Sequence, residues 1–237
     1  MNLLNTLFLI LHIAAGFSAL AVGVVPLVVK KGSPLHNRSG LVFYYAMAVV
    51  CATAFWLVAF KGSPLFLLFI AIFSFYMCFT GRREILRNRL RVHVERLDYN
   101  AAGLALLSAV GMLTLGIFQL SQSNFGIPSI LYLVFGTVLF SQSSYDWRRF
   151  KNAAKSKYLK KSWFFHHITR MGGAYIAAFT AFAVVNTRFN EGPYAFWLNL
   201  VAWLAPGVIG GILIGRTVKY YLNKQSSSKG HKTAIPA

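Results

Sequence analysis

The residue types best suited to bind a ligand cluster near the start of the sixth of seven apolar stretches. Arg170 lies inside this stretch, and His166 and His167 precede it by four and three positions. Helical spacing places both histidines on or beside the face of the guanidinium, and Tyr175 follows five positions later. A charge inside an apolar helix is costly and usually faces a cavity, a partner or a ligand. The pattern predicts a cationic pocket for a small molecule that is anionic or bears a carbonyl.

The second apolar stretch offers two more residues for this pocket, His36 at its start and Tyr45 just inside it. Other interpretations of the same residues stay open. Arg170 could instead pair with Asp146 or Asp98, which stand at helix ends on the same side, or reach a lipid phosphate. A lone histidine at an interface can simply be solvated.

The histidines also allow a cofactor, because a helical bundle can hold b-type haem between two imidazoles. His36 with His166 or His167 could ligate one iron from two helices at the same depth. His12 lies near the opposite end of the first stretch, and a hydrocarbon core about 30 Å thick keeps it too far away to share that iron. As an intramembrane polar residue, His12 could relay protons, ligate a cofactor or simply hydrogen-bond to a neighbouring carbonyl.

The absence of acidic residues from the interiors of the seven stretches argues against one class of membrane protein. All five Asp and Glu residues fall at predicted helix ends or in loops. Proton-coupled and cation-coupled transporters generally hold carboxylates inside the membrane as ion sites, so this class is disfavoured. The seventh stretch has no lysine to form a Schiff base, and a retinal protein is therefore disfavoured too.

The elements that position these residues are long apolar helices. A mean hydropathy of +0.56, with 57% apolar residues, excludes an ordinary soluble domain. A membrane-spanning helix needs roughly 20 apolar residues, and suitable stretches cover residues 3–29, 40–60, 65–80, 101–120, 127–141, 163–185 and 196–214. We predict an all-α integral membrane bundle of seven transmembrane helices over residues 1–223, followed by a disordered cytoplasmic tail over residues 224–237.

The basic residues predict the orientation of this bundle. Nearly all of the 24 Lys and Arg residues fall in segments on one side, which the positive-inside rule assigns to the cytoplasm. The N-terminus is then outside and the C-terminus inside. The formal charge of +19 follows from this topology and from attraction to anionic lipid heads, so no nucleic-acid partner is predicted.

A resemblance to a known family rests on the first part of the chain. His12 and Gly16 form a His-x-x-x-Gly pattern, and a Lys-Gly…His…Arg…Gly segment follows at residues 31–40. These features resemble an uncharacterised bacterial family of predicted multipass membrane proteins, although Asn37 separates His36 from Arg38 where the family has His-Arg adjacent. The resemblance covers about the first 50 residues. It implies a multipass protein of the bacterial inner membrane and brings no activity or cofactor.

The function that these observations favour is non-enzymatic binding or transport of a small molecule through a polar site in the cytoplasmic half of the bundle. In this hypothesis the arginine holds an anionic group, the histidines supply hydrogen bonds or protons, and the tyrosines line the walls. The candidate ligand-binding residues are Arg170, His166, His167, His36, Tyr45 and Tyr175. Two alternatives remain, a membrane redox protein with b-type haem and a membrane scaffold or assembly protein.

Overall fold

The chain folds into a bundle of α-helices in the computed structural model, which describes residues 2–90, 93–122, 126–153, 159–187 and 193–233. Every element within these ranges is helical. The helices are α1 Leu3–Gly23, α2 Val25–Val28, α3 Pro34–Lys61, α4 Leu65–Leu90, α5 Arg96–Ser121, α6 Ile127–Ala153, α7 Leu159–Asn186 and α8 Ala195–Thr233.

Seven helical segments of the described chain are long and apolar enough to cross a bilayer, with α1 and α2 together forming the first. Large apolar side chains such as Phe55, Leu107 and Val208 are more than 60% exposed on the outside of the bundle, where acyl chains would cover them. The predicted all-α fold of seven spanning helices is confirmed, and the chain is a multipass membrane protein.

Several helices run further than the sequence predicts. Helices α4 and α6 continue to Leu90 and Ala153. The apolar stretches predicted for them, the third and the fifth, end at residues 80 and 141. Helices α4, α5 and α6 therefore contain Glu84, Asp98 and Asp146, each near the end of its helix, in keeping with their predicted placement at helix ends. The helices continue because these charges are paired inside the bundle, as described below. Helix α8 likewise reaches Thr233, beyond the predicted boundary at residue 223, and the disorder of the tail stays a prediction.

Helix α7 lies between α4 and α8, and glycines at both interfaces let the backbones approach closely. A Cβ atom added to Gly81 of α4 would lie 2.9 Å from Met171 Cγ, and one added to Gly173 of α7 would lie 2.6 Å from Met77 Cε. On the other side, a Cβ at Gly210 of α8 would overlap the side chain of Ile176. The position of α7 is thus fixed from both sides.

The two ends of the bundle differ. We call the end that holds the α2–α3, α4–α5 and α6–α7 connections the basic end. Near the opposite end, the rings of Phe66, Phe135 and Trp203 pack together with centroids 5.2–6.1 Å apart, around a core cluster that includes Ile70 and Leu131. Aromatic packing fills that end, whereas the basic end contains a large cavity.

Candidate ligand-binding cavity

A cavity of about 1090 Å³ lies at the basic end, between the short helix α2 and helices α3, α4, α7 and α8. Much of its wall is apolar, with Phe164, Ile168 and Ile176 from α7 and Leu213 and Ile214 from α8. Drug-sized ligands occupy pockets of roughly 300–1,000 Å³. The cavity therefore has room for a ligand with a substantial apolar body.

Three cationic side chains line the same cavity, Lys31, Arg89 and Arg216. They come from the α2–α3 connection, from the last turn of α4 and from the middle of α8, so three separate segments bring positive charge to one site. No carboxylate is among the described residues that line the cavity. Partial burial lowers the pKa of the Lys31 ammonium from its ordinary value, which is the response of a cation that lacks a nearby anion.

The described carboxylates are instead paired with arginines away from the cavity lining. Glu84 accepts from Arg149 at 2.6 and 3.0 Å and from Arg87 at 2.5 Å. Asp98 accepts from Arg83 at 2.7 and 2.8 Å, and its Oδ1 lies 3.0 Å from Arg87 Nη1. These ion pairs join α4, α5 and α6 in what we call the buried charge network.

Every carboxylate side chain that the structure describes has an arginine partner, since Glu95 pairs with Arg83 and Asp146 with Arg170. Each ion pair within the described ranges lies between an arginine and one of these four carboxylates. Arg89 and Arg216 are exposed and have no ion pair among the described residues. The positive charge at the cavity is thus left without a described carboxylate partner.

His36 and His167 face each other at this cavity, with ring centroids 6.2 Å apart and planes at 71°. His36 Nδ1 lies 3.2 Å from the Pro26 carbonyl oxygen, and His167 Nδ1 lies 3.0 Å from that of Gly81. A carbonyl oxygen only accepts, so each Nδ1 carries the proton and donates it. In the neutral rings both Nε2 atoms therefore keep a free lone pair.

Local sequence explains how His36 and Lys31 reach their positions. Helix α2 ends at Val28, so its last carbonyls have no partner within the helix. Lys31 Nζ donates to the Pro26 and Leu27 oxygens at 2.6 and 2.9 Å, and His36 shares the Pro26 oxygen. Ser33 caps α3 by accepting from the His36 backbone N–H at 3.2 Å. The turn between α2 and α3 thus holds both side chains at the cavity.

Tyr175, the third predicted residue at the cavity, lines its inner part. Its hydroxyl donates to the Leu20 carbonyl at 3.4 Å, and its ring packs where a Cβ on Gly23 would lie only 2.7 Å away. The small residue on α1 makes room for this ring. His36, His167 and Tyr175 therefore lie at one cavity.

Arg170 is placed elsewhere, and the structure realises the alternative in which it pairs with Asp146. The guanidinium is 2% exposed and donates to Asp146 Oδ1 at 2.8 Å and to the Gln142 carbonyl at 3.4 Å. Tyr76 donates its hydroxyl to Asp146 Oδ2 at 2.6 Å. Because both carboxylate oxygens and the guanidinium are engaged, Arg170 acts in helix packing and does not line the cavity.

His166 and Tyr45 also lie outside the cavity. His166 stacks on Tyr145 of α6 with ring centroids 5.7 Å apart, on a different face of α7 from His167. Tyr45 is 58% exposed on the outer surface, because a helix turns about 100° per residue and Tyr44 takes the inward position. Tyr44 lines a smaller neighbouring cavity of about 260 Å³, with the Arg82 guanidinium 5.1 Å from its ring centroid.

His12 forms a hydrogen bond to a side chain of a neighbouring helix, where a carbonyl was the predicted structural partner. Its Nδ1 lies 2.9 Å from Thr53 Oγ1, joining α1 to α3. Thr53 also donates to the Val49 carbonyl at 2.7 Å. A hydrogen bond between spanning helices contributes about 0.6 kcal/mol on average. The contact therefore helps to fix α1 against α3 far from the cavity.

Sequence reasoning missed the cavity cations, because Lys31, Arg89 and Arg216 were counted only as evidence for topology. The signal that could have found them is that all three follow apolar stretches on the predicted cytoplasmic side. Comparison of the chain with protein-family models, curated proteins and solved structures found no match. The site is therefore interpreted from its own geometry.

Proposed function

We propose that the protein binds a small amphipathic anion in the cavity at the basic end, with the apolar part inside and the anionic group at the mouth. The observation that carries the proposal is the set of cavity cations, Lys31, Arg89 and Arg216, above an apolar wall. Each described carboxylate already has an arginine partner. An external anion would supply the missing negative charge.

The shape of the cavity supports a ligand with an extended body. Helix α8 contributes lining residues from Gly210 to Tyr221, a length of about 16 Å at 1.5 Å per residue. The wall along this length is mostly aliphatic and aromatic. Burying apolar area contributes roughly 25 cal/mol per Å², so the body supplies affinity and the charges set orientation and selectivity.

Binding is better supported than passage through the bundle. The aromatic cluster of Phe66, Phe135 and Trp203 occupies the end opposite the cavity. A ligand at the basic end would have to displace this packing to cross. Transport would therefore require a second conformation in which these rings separate.

The proposal includes the location of the protein. We place it in the bacterial inner membrane with the basic end at the cytoplasm, as the positive-inside rule and the resemblance of residues 12–40 both suggest. Basic loops there would attract anionic lipid heads. Alkaline phosphatase fused after Ala237 should stay inactive and a cytoplasmic green fluorescent protein fused there should fluoresce; the reverse pattern would overturn this orientation.

The test of the proposed function is an equilibrium titration of the purified protein in phosphatidylcholine nanodiscs. Dodecyl phosphate is the probe and dodecanol is its uncharged control. Trp163 lines the cavity, so its fluorescence reports occupancy. An exposed ion pair contributes up to about 1 kcal/mol, so Arg89→Gln and Arg216→Gln should each weaken binding about fivefold.

A matched control comes from the same part of α8 as Arg216, because Lys219 is exposed and does not line the cavity. Lys219→Gln should leave the affinity unchanged, and the double variant of Arg89 and Arg216 should lose about 25-fold if the two contributions add. Equal binding of dodecanol and dodecyl phosphate, or equal loss in the Lys219 variant, would contradict the proposal.

A further inference from the structure

We propose that His36 and His167 ligate the iron of one b-type haem in this cavity. This inference rests on the proposed function, because haem is itself an amphipathic anion with an apolar macrocycle and two propionate carboxylates. It goes further by assigning the two histidine Nε2 atoms as axial ligands. Each nitrogen would donate its lone pair to iron, and no proton need be released.

The first support is the state of the two rings. Each Nδ1 donates to a backbone carbonyl, of Pro26 at 3.2 Å and of Gly81 at 3.0 Å. Histidines that ligate metals commonly donate their other ring N–H to such a carbonyl, which fixes the tautomer and the ring orientation. Here two histidines on different helices show this arrangement at one cavity, and both leave Nε2 free.

The second support is the distance between the rings. A ligating ring nitrogen lies about 2 Å from a metal, and the ring centroid lies about 1.1 Å behind that nitrogen. Two imidazoles on opposite sides of one iron would therefore have centroids roughly 6 Å apart. The observed separation of 6.2 Å matches this value. The 71° between the planes is compatible, because each ring can rotate about its bond to the metal.

The number of protein ligands favours haem over a bare metal ion. Among the described residues there is no group of three or more His, Cys, Asp and Glu side chains that could hold an ion. Haem brings four pyrrole nitrogens of its own and needs only axial ligands from the protein. A pair of histidines is therefore a sufficient site for haem and an incomplete one for most free ions.

The remaining lining suits the other parts of a haem. Phe164, Ile168 and Ile214 offer apolar contacts for the macrocycle. Arg89 and Arg216 offer donors for the propionates, and arginine binds carboxylates through paired N–H groups. The axial ligands, the apolar wall and the cations all belong to one cavity of about 1090 Å³.

The experiment uses the full-length protein in nanodiscs, titrated with ferric haem and then reduced with dithionite, which adds one electron per iron. The wild type should give the absorbance spectrum of six-coordinate, low-spin haem in both states. His36→Ala and His167→Ala should each lose the low-spin spectrum and bind haem at least about tenfold more weakly. His166→Ala is the matched control, since His166 is adjacent in sequence but lies outside the cavity, and it should match the wild type.

Further variants keep the inference testable if an alanine variant misfolds. His36→Met preserves a possible axial ligand and should give the distinct spectrum of His/Met ligation, with elution from a size-exclusion column as the check on folding. The absence of a low-spin spectrum in the wild type, or an unchanged spectrum in both alanine variants, would overturn the inference.

The two proposals can fail separately. If dodecyl phosphate binds with the expected dependence on Arg89 and Arg216 but haem gives no low-spin spectrum, the haem inference fails and the proposed function stands. If haem is ligated through His36 and His167 but the arginine variants change the affinity of neither haem nor dodecyl phosphate, the role of the cations fails. The iron site then still stands.

Discussion

Replacing Arg170 by methionine is expected to destabilise the folded protein by about 3–5 kcal/mol, because it leaves the buried carboxylate of Asp146 without its cation. The pair is closed from solvent, with each side chain about 3% exposed. For a chain of this size, such a loss corresponds to a fall in melting temperature on the order of 10 °C. Thermal unfolding of the protein in detergent, followed by size-exclusion chromatography, measures the change.

A compensating variant separates charge from packing. Arg170→Met combined with Asp146→Leu removes both charges and should recover much of the lost stability, since apolar replacements of a buried pair are often nearly neutral. Tyr76 then loses the acceptor of its hydroxyl, so recovery should be incomplete. A single Arg170→Met variant that keeps full stability but loses binding of dodecyl phosphate would return Arg170 to the ligand site.

The second large effect is expected at Glu84, the centre of the buried charge network. Arg87 and Arg149 both pair with the Glu84 carboxylate. Glu84→Gln removes this negative charge from beside two largely buried guanidinium groups. We expect a loss of about 3–5 kcal/mol, measured by the same thermal unfolding. The loss should be larger than that of any single cation variant at the cavity, because those side chains keep their contact with water.

Glu95 provides the control for this prediction. It also pairs with an arginine, Arg83 at 2.9 Å, but its side chain is 49% exposed. Glu95→Gln should therefore cost less than about 1 kcal/mol. Equal effects of the two substitutions would show that burial of the network does not determine its contribution, and this part of the account would be wrong.

The fold was largely predictable, because a bilayer requires long apolar helices and the sequence contains seven. Two helices run past the predicted apolar stretches where charged residues occur, α4 through Glu84 and α6 through Asp146. A hydropathy pattern treats these side chains as unfavourable inside a helix. It cannot show that Arg149 and Arg170, on other helices, neutralise them in the bundle.

The site was only partly predictable for a related reason. Helical spacing groups His166, His167 and Arg170 on one part of α7, but neighbouring helices decide which of them meets the cavity. His167 contacts the carbonyl oxygen of Gly81 on α4, where the absent side chain permits close approach, while Arg170 meets Asp146. Similarly, the sequence places Tyr44 and Tyr45 side by side and only the rotation of α3 selects Tyr44 for the interior.

The measurement that tests the central claim most directly is photo-crosslinking of the protein in nanodiscs with a dodecyl phosphate analogue that carries a diazirine in its chain. Mass spectrometry then identifies the labelled residues. The account predicts labelling of the cavity wall, on α7 near Phe164 and Ile168 and on α8 near Leu213, that excess dodecyl phosphate prevents and dodecanol does not. Labelling spread over outward-facing residues such as Phe55 and Leu107, with no competition by dodecyl phosphate, would contradict it.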